Sequence, residues 1–175
     1  MTYRYDATAR VLHWLTVVLV FGMLGLGVSM VYLVPDSDPW SHRLFNTHES
    51  LGVVVLLVML VRLAYRRYNP PGALPEAVPR IFHHVGHANH VLLYTLLLMQ
   101  PVVGLLRDNA DGFQVRWFEL VTLPSVIGKN EALAHALSAV HWYGAVLIAL
   151  LIGAHIGGAL FHAVVRRDGV LQRML

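Results

Sequence analysis

The stretch from His141 to His155 constrains the fold more than any other part of the sequence. It is an apolar run with a histidine at each end and no charged residue between them. In an α-helix these two positions are about four whole turns apart, so both imidazoles face the same side, roughly 21 Å from each other. That separation is most of the ~30 Å thickness of a bilayer's hydrocarbon core. The run therefore predicts a membrane helix that carries two redox centres, one above the other.

The composition favours an integral membrane protein. Of 175 residues, 57% are hydrophobic and only 13% are charged, whereas a soluble domain has about 25% charged residues. The chain has no cysteine, which excludes disulfides, iron–sulfur ligation, thiolate zinc sites and covalent c-type haem attachment. It has 11 histidines, and histidine inside a bilayer is costly unless it has a function.

Four apolar segments are long enough to cross a membrane. The predicted spans are 9–34, 44–65, 87–106 and 137–165. Prolines follow the first two spans, and Pro101 lies inside the third, where we expect a kink. The first run is too long for the apolar region of a signal peptide and is predicted to be retained. The predicted fold class is an all-α integral membrane protein: a single domain, 1–175, with a four-transmembrane-helix bundle.

The distribution of Lys and Arg predicts the orientation of the bundle. Nine of the 13 basic residues lie at the two termini or around the second connection. The remaining four lie in the first and third connections: Arg43, Arg107, Arg116 and Lys129. Because cytoplasmic segments carry the excess of positive charge, we expect both termini in the cytoplasm and the 107–134 connection outside.

With this topology, four histidines form two pairs of matching depth. His13 and His155 lie near the inner face, and His48 and His141 lie near the outer face. A b-type haem between two helices needs two imidazoles at one level, so the pairing predicts two such haems in the bundle. Glycines beside these histidines leave room for a macrocycle, although small residues also serve close helix packing.

Other ligands remain open at this point. His162 lies two turns after His155 and is its main rival, but His155 is deeper and has glycine neighbours. Met23, Met30 and Met59 are possible axial ligands, although methionine on an apolar helix usually packs. A closed zinc site is difficult to build without cysteine.

Two further histidines begin the third span on one helix face. His87 and His90 are three residues apart, and they could contact a haem propionate or shuttle protons to a quinone headgroup. The alternative is a solvated cluster at the membrane interface.

Several motifs together resemble one protein family. They are His13-Trp14, His48 with Gly52, Val61-Arg62-Leu63, His87-Ala-Asn-His90, Pro101-Val-Val-Gly-Leu105, Trp117-Phe118, Leu123-Pro124, His141, His155, His162 and Leu171-Gln-Arg-Met174. In this set and over nearly its whole length, the chain resembles the bacterial cytochrome b561 family, which comprises small four-helix dihaem membrane cytochromes.

The resemblance implies the ligand set and the chemistry. The family takes its haem ligands from the first, second and fourth helices, which carries over to His13, His48, His141 and His155, with the fourth helix serving both haems. Its members include a superoxide oxidase that passes electrons from superoxide to ubiquinone, and membrane anchors of dehydrogenases or hydrogenases. This chain has Ser138 where the superoxide-reacting member has lysine, which bears on the identity of the electron donor.

We therefore expect a dihaem b-type electron-transfer protein of the bacterial inner membrane. Its cofactors would be two haem b, with ubiquinone as acceptor and superoxide or a redox protein as donor. The alternative is a haem-bearing anchor or relay subunit of a periplasmic or peripheral dehydrogenase or hydrogenase. The lipid bilayer is its other partner, and no nucleic-acid partner is expected.

Two sites for these partners remain open. The quinone site lies either on the inner side, with His87, His90 and His162, or in an outer cleft near Trp142. The outer basic residues either steer superoxide or offset nearby carboxylates and bind headgroups; they are Arg43, Arg107, Arg116 and Lys129.

Overall fold

The computed structural model describes residues 4–35, 37–72 and 78–175. Four long helices dominate it, and each is long and apolar enough to cross a membrane. They are α1 (Ala7–Val28), α2 (Ser41–Tyr68), α3 (Arg80–Asp111) and α4 (Glu131–Phe161). The predicted all-α class with four membrane-spanning helices is confirmed.

The helices extend past the predicted spans at most of their ends. Single π-helical turns continue two of them, Ser29–Leu33 after α1 and His162–Arg166 after α4. Apart from Val34, every residue of the predicted spans lies inside a helix. Pro101 remains inside α3.

Local sequence explains where the helices begin and end. The Asp6 carboxylate accepts a hydrogen bond from the Ala9 amide at 2.9 Å, which caps the start of α1. This bond, with a second from the Tyr65 hydroxyl, lowers the pKa of Asp6. Asn130 caps α4 in the same way. Gly112 ends α3 with a φ of 94°, a left-handed conformation that favours glycine.

The helices do not all pack directly on one another. The backbone of α3 packs along α4 and α2, and α1 packs along α2. No comparable packing joins α4 to α1 or α2 within the described ranges. A gap therefore separates α4 from α1 and α2. The side chains that face outward from the helices are apolar, as a bilayer requires; Val18 is 70% exposed and Leu150 is 67% exposed.

The connection between α3 and α4 forms one end of the bundle, which we call the connector end. It contains a two-stranded antiparallel hairpin, β1 (Arg116–Trp117) with β2 (Val121–Thr122). The hydroxyl of Ser50 on α2 accepts from the Phe118 amide at 2.7 Å, and the Ser50 carbonyl accepts from Trp117 Nε1 at 3.3 Å. This segment lies against α2 as a hairpin, outside the four long helices.

The two chain termini meet at the opposite end, which we call the terminal end. The Tyr5 amide donates to the Arg173 carbonyl at 3.0 Å. Trp14 Nε1 donates to the Met174 carbonyl at 3.1 Å. The first turns of α1 therefore lie beside the segment that follows α4.

Candidate functional site

Two pairs of imidazole rings span the gap between α4 on one side and α1 and α2 on the other, and the two rings of each pair face each other. His13 on α1 and His155 on α4 form the terminal pair, with ring centroids 6.2 Å apart. His48 on α2 and His141 on α4 form the connector pair, also with ring centroids 6.2 Å apart. These are the two pairs that the sequence predicts by matching depth.

The separation within each pair fits one metal ion between two imidazoles. A metal–imidazole nitrogen bond is about 2 Å long, and the nitrogen lies about 1 Å from its ring centre, so two rings on one ion have centroids about 6 Å apart. The observed separation is 6.2 Å in both pairs. The helices that carry each pair lack direct backbone packing, which leaves space for a macrocycle. The residues present therefore fit a haem at each pair.

The connector pair has unpartnered ring nitrogens. Nδ1 of His48 and Nδ1 of His141 are buried, and neither has a hydrogen-bond partner among the described residues. Buried polar atoms without partners are rare in proteins and need an explanation. A cofactor that bonds to these rings is such an explanation, because binding would fix the tautomer and the orientation of each imidazole.

Glycines let the neighbouring helices approach the connector rings. A Cβ atom at Gly104 of α3 would lie 3.2 Å from Cε1 of His141, which is tighter than an ordinary contact. A Cβ at Gly27 would lie 3.8 Å from Cε1 of His48, which is ordinary van der Waals contact. A side chain at Gly104 would therefore require the His141 ring to shift by a few tenths of an ångström, whereas alanine at Gly27 would make only ordinary contacts.

An amide side chain of α3 holds the turn that carries His141. Gln100 Nε2 donates to the His141 carbonyl at 2.5 Å. Gly144 makes room for this contact, since a Cβ there would lie 2.5 Å from Gln100 Oε1. A second amide lies nearer the terminal end, where Asn89 Nδ2 donates to the Leu151 carbonyl at 3.1 Å. Thus α3 supplies no member of either pair but fixes the helix that supplies one member of both.

The terminal pair has polar and aromatic neighbours. Nη2 of Arg62 lies 2.9 Å from Nδ1 of His13. The His90 ring centroid is 5.2 Å from that of His155, and the Trp14 ring centroid is 5.4 Å from that of His13. A guanidinium has only donors, so His13 Nδ1 is the acceptor in this contact.

The other predicted histidines occupy different environments. His90 faces the terminal pair, whereas His87 is exposed, so the two do not act as one cluster. Nδ1 of His162 lies 2.7 Å from Oδ2 of Asp168, and the ring packs against Phe82 with centroids 5.6 Å apart. Because His155 faces His13 and His162 is bound to Asp168, the geometry favours His155 as the partner of His13.

At the connector end, Trp142 is partly exposed. Its side chain is 45% exposed, and its ring packs edge-on against Tyr32 with centroids 6.2 Å apart. The contact resembles the aromatic belts found at membrane interfaces.

Three of the four basic residues that the sequence predicts on the outer side have carboxylate neighbours. The pairs are Arg107–Asp108 at 2.9 Å, Arg116–Glu119 at 3.0 Å and Lys129–Glu131 at 3.8 Å. The fourth, Arg43, stacks over the Trp40 ring, with its guanidinium carbon 4.9 Å from the centroid. These contacts support the alternative in which the cations offset nearby carboxylates, and they leave Arg43 as the main candidate for anion steering.

Sequence reasoning did not single out Arg62, Gln100 or Gly104 as site residues. A signal existed for two of them, because a charge or an amide inside an apolar helix is expensive in lipid and marks a specific contact. Arg62 and Gln100 both lie in such runs. Gly104 lies in the motif Pro101-Val-Val-Gly-Leu105, but its role depends on the distance to a ring on another helix, which the sequence does not show.

Comparisons with known proteins agree with this arrangement. The profile of the family described as prokaryotic cytochrome b561 matches residues 4–175. Cytochrome b561 homolog 2 of Escherichia coli K12 is 32% identical over 173 residues, which cover 98% of this chain and 91% of the relative. The protein named probable superoxide oxidase CybB of Yersinia pestis is 29% identical over 174 residues, covering 98% of this chain and 96% of the relative.

A third relative, cytochrome b561 homolog 1 of Escherichia coli K12, is 27% identical over 180 aligned positions, covering 98% of this chain and 97% of the relative. The family implies b-type haem and electron transfer in the membrane. With its four spanning helices, this chain belongs to the prokaryotic cytochrome b561 family and is a multi-pass bacterial membrane protein.

Proposed function

We propose that this protein carries electrons across the membrane through two b haems, from a donor at the connector end to a quinone at the terminal end. His13 and His155 hold one haem, and His48 and His141 hold the other. Ubiquinone is the proposed acceptor. The Lys and Arg distribution supports a cytoplasmic location for the terminal end.

The observation that carries the proposal is the equal geometry of the two pairs. Each pair brings rings from two helices to a centroid separation of 6.2 Å, across a gap that direct helix packing does not close. One isolated pair has an ordinary explanation as packed core histidines. Two pairs with the separation of a shared metal, on a helix that contributes to both, support a relay of two centres.

The bound haems supply one-electron chemistry, and the chain supplies everything else. Its histidines would fix each iron, and the apolar helices would exclude water from the path between the centres. Because α4 carries one ligand of each pair, it sets the distance between the centres. Gln100 and Asn89 hold α4 on α3 and so keep that distance constant.

Residues at the terminal end support a quinone site there. Quinone reduction takes up protons as well as electrons, so a site needs groups that can hold a proton. His162 is oriented by Asp168 at 2.7 Å and lies next to the aromatic ring of Phe82. His90 lies beside His155, with ring centroids 5.2 Å apart. Trp142 itself carries no group that exchanges a proton near neutral pH, which favours the terminal end.

Superoxide is one candidate donor at the connector end. The relative from Yersinia pestis carries the name of a probable superoxide oxidase. Purified protein should then be reduced by superoxide alone and reoxidised by added ubiquinone. If Arg43 steers the anion, Arg43→Gln lowers the rate at low salt and leaves it unchanged at high salt. A rate that does not depend on ionic strength in the unmodified protein removes the steering role.

A second candidate function is a relay subunit that anchors a larger dehydrogenase or hydrogenase. Apolar residues at the connector end favour it, because Leu120 is 80% exposed, Phe113 is 67% exposed and Val126 is 64% exposed. Such a surface suits a docked protein. Recovery of a flavin or iron–sulfur protein with the native complex, together with no reduction by superoxide, supports this function over the first.

Haem content and spectra of single variants test the proposal. We expect two haems per chain in the unmodified protein and one haem in each of the four variants His13→Ala, His48→Ala, His141→Ala and His155→Ala. Reduced-minus-oxidised spectra should fall into two identical sets, one for each pair. A colourless protein, or one haem per chain in the unmodified protein, contradicts the proposal. Full haem content in His155→Ala moves that ligand to His162.

A further inference from the structure

A small cleft opens at the terminal end, directly beside the terminal pair. Side chains of α1, α2 and α3 line it together with the segment after α4; the main ones are Leu12, Arg62, Tyr65, Arg66, Tyr94 and Met174. One of these, Arg62, is also the residue that contacts His13. The side chain of Arg62 therefore connects the cleft to the terminal pair.

Two positive charges share this cleft. The guanidinium carbons of Arg62 and Arg66 lie 5.3 and 5.5 Å from the centroid of the same Tyr94 ring. Within the described ranges, no carboxylate pairs with either guanidinium. Both side chains are half-buried. Two adjacent cations that are partly removed from water repel each other, so the arrangement calls for an anionic partner.

The contact between Arg62 and His13 does not persist when His13 binds a metal. Arg62 donates to Nδ1 of His13, which requires a free lone pair on that nitrogen. If iron binds Nδ1, that lone pair is used. If iron binds Nε2 of the neutral ring, Nδ1 carries the proton and becomes a second donor facing the guanidinium. In either case Arg62 loses this acceptor, while its hydrogen bond with the Tyr94 hydroxyl remains, so the guanidinium has donors free for an anion.

We propose that Arg62 and Arg66 bind the propionate carboxylates of the haem held by the terminal pair. The inference rests on the proposed function. Guanidinium groups bind carboxylates through two parallel hydrogen bonds, and such charge-assisted bonds are stronger than neutral ones. Arg62 holds His13 in place before the haem binds, and transfers its hydrogen bond to the carboxylate afterwards.

This assignment has a consequence for the reduction potential. The oxidised haem carries one more positive charge than the reduced haem. Nearby propionates stabilise that charge, and arginines that neutralise the propionates remove the stabilisation. Arg62 and Arg66 therefore raise the midpoint potential of the terminal haem, and loss of either one lowers it.

The experiment compares Arg62→Leu and Arg66→Leu with Arg67→Leu. Arg67 is on the same helix and carries the same charge, but it is exposed and does not line the cleft. All three are made in a His48→Ala background that retains only the terminal haem, and in the unmodified protein. The midpoint potential is measured by redox titration, and haem affinity is measured by adding haem to the haem-free protein.

We expect a lower midpoint potential and an affinity for haem weaker by about tenfold or more in Arg62→Leu, since a charged hydrogen bond is lost. Arg66→Leu should show the same changes to a smaller extent, and Arg67→Leu should show neither. Arg62→Lys keeps the charge but not the paired hydrogen bonds, so its midpoint potential should lie between those of Arg62→Leu and the unmodified protein. If Arg62→Leu does not fold, Arg66→Leu and Arg62→Lys carry the test.

Two results overturn the inference. One is a potential and affinity in Arg62→Leu and Arg66→Leu that match the Arg67→Leu control. The other is loss of bound anionic lipid from these variants, measured by mass spectrometry, with an unchanged potential, because the cleft then holds a headgroup phosphate. If the unmodified protein binds no haem, the proposed function fails. If it binds two haems and the arginine variants change neither the midpoint potential nor the haem affinity, only this inference fails.

Discussion

The terminal and connector pairs have the same ring separation but opposite surroundings. At the connector pair, Nδ1 atoms of His48 and His141 are buried without a partner, and Gly27 and Gly104 leave room beside the two rings. At the terminal pair, His13 faces Arg62 and His155 faces His90. The connector pair therefore has unpartnered ring nitrogens and Arg107 as its nearby charge, whereas the terminal pair lies in a polar cluster that reaches the end of the bundle.

This difference distinguishes the residues that bind an iron from the residues that set its reactivity. The ring separation reports what a pair can bind, whereas groups beyond the ligands tune the potential of the metal and its access to protons. Under the proposed function, the connector pair passes electrons without protons, and the terminal pair serves a reaction that takes up both, as quinone reduction does. The following predictions test whether the two pairs respond independently.

Overpacking at Gly104 should have the largest effect, and only on the connector haem. Gly104→Leu places a side chain where even a Cβ would lie 3.2 Å from His141. Overpacking of this kind typically costs about 1–3 kcal/mol, so we expect haem affinity at the connector pair to weaken by about one to two orders of magnitude. The measurement is haem content and the difference spectrum after purification.

The matched control for this variant is Gly27→Ala. Its Cβ would lie 3.8 Å from His48, an ordinary contact, so both haems should be retained. Gly104→Ala should lie between the two, with a weaker connector haem and an unchanged terminal haem. Equal loss of haem in Gly27→Ala and Gly104→Ala is inconsistent with the packing described for this pair.

Removing the Gln100 amide should have a moderate effect on the same haem. Gln100→Leu removes the bond to the His141 carbonyl, and hydrogen bonds between membrane helices contribute about 0.6 to 1.7 kcal/mol. We expect the connector haem to shift in potential and the protein to unfold at a slightly lower temperature. Asn89→Leu removes the comparable bond to Leu151 and should leave the connector potential unchanged. A connector shift of the same size in Asn89→Leu contradicts a local role for Gln100.

Replacing His90 should affect the terminal haem alone and by a smaller amount. His90→Leu exchanges a polar ring, centred 5.2 Å from His155, for an apolar side chain. A less polar environment disfavours the charged oxidised haem, so the terminal midpoint potential should rise. Redox titration of the terminal haem in a His48→Ala background measures the shift. A change confined to the connector haem, seen in the otherwise unmodified protein, shows that His90 acts elsewhere.

The smallest effect is expected from Asp168, beyond the end of the last span. Burial alone raises the pKa of its carboxyl, but hydrogen bonds from His162 and Arg166 outweigh burial, so the pKa lies below its ordinary value of 3.8. A depressed pKa contributes stability that is present above the ordinary value and is lost as pH falls through the folded value. Asp168→Asn should lower the thermal midpoint slightly at pH 7 and have little effect near pH 3. An equal loss at both pH values excludes this ionic contribution.

The sequence predicted the helices and which histidine rings face each other, because both follow from helical periodicity and the order of the spans. Apolar runs of this length cross a bilayer as α-helices, because a helix satisfies its own backbone hydrogen bonds. The interval from His141 to His155 then places both rings on one helix face. Topology then matched His13 with His155 and His48 with His141 by depth. These inferences need no knowledge of side-chain packing.

The surroundings of the pairs could not be predicted in the same way. Whether Gly104 faces His141, or His90 rather than His87 faces His155, depends on the rotation of α3 against α4. Helix rotation is set by the sum of many contacts between helices and leaves no simple periodic trace. The hairpin after α3 was likewise missed, since its strands are two residues long and its anchor, Ser50, lies on another helix.

Haem content of double variants tests the pairing most directly. The variants His13→Ala/His155→Ala and His48→Ala/His141→Ala each remove one whole pair, whereas His13→Ala/His48→Ala and His141→Ala/His155→Ala damage both pairs. We predict one haem per chain in each of the first two and none in the last two. One haem in His13→Ala/His48→Ala, or none in His13→Ala/His155→Ala, would show that the irons are not shared between these rings.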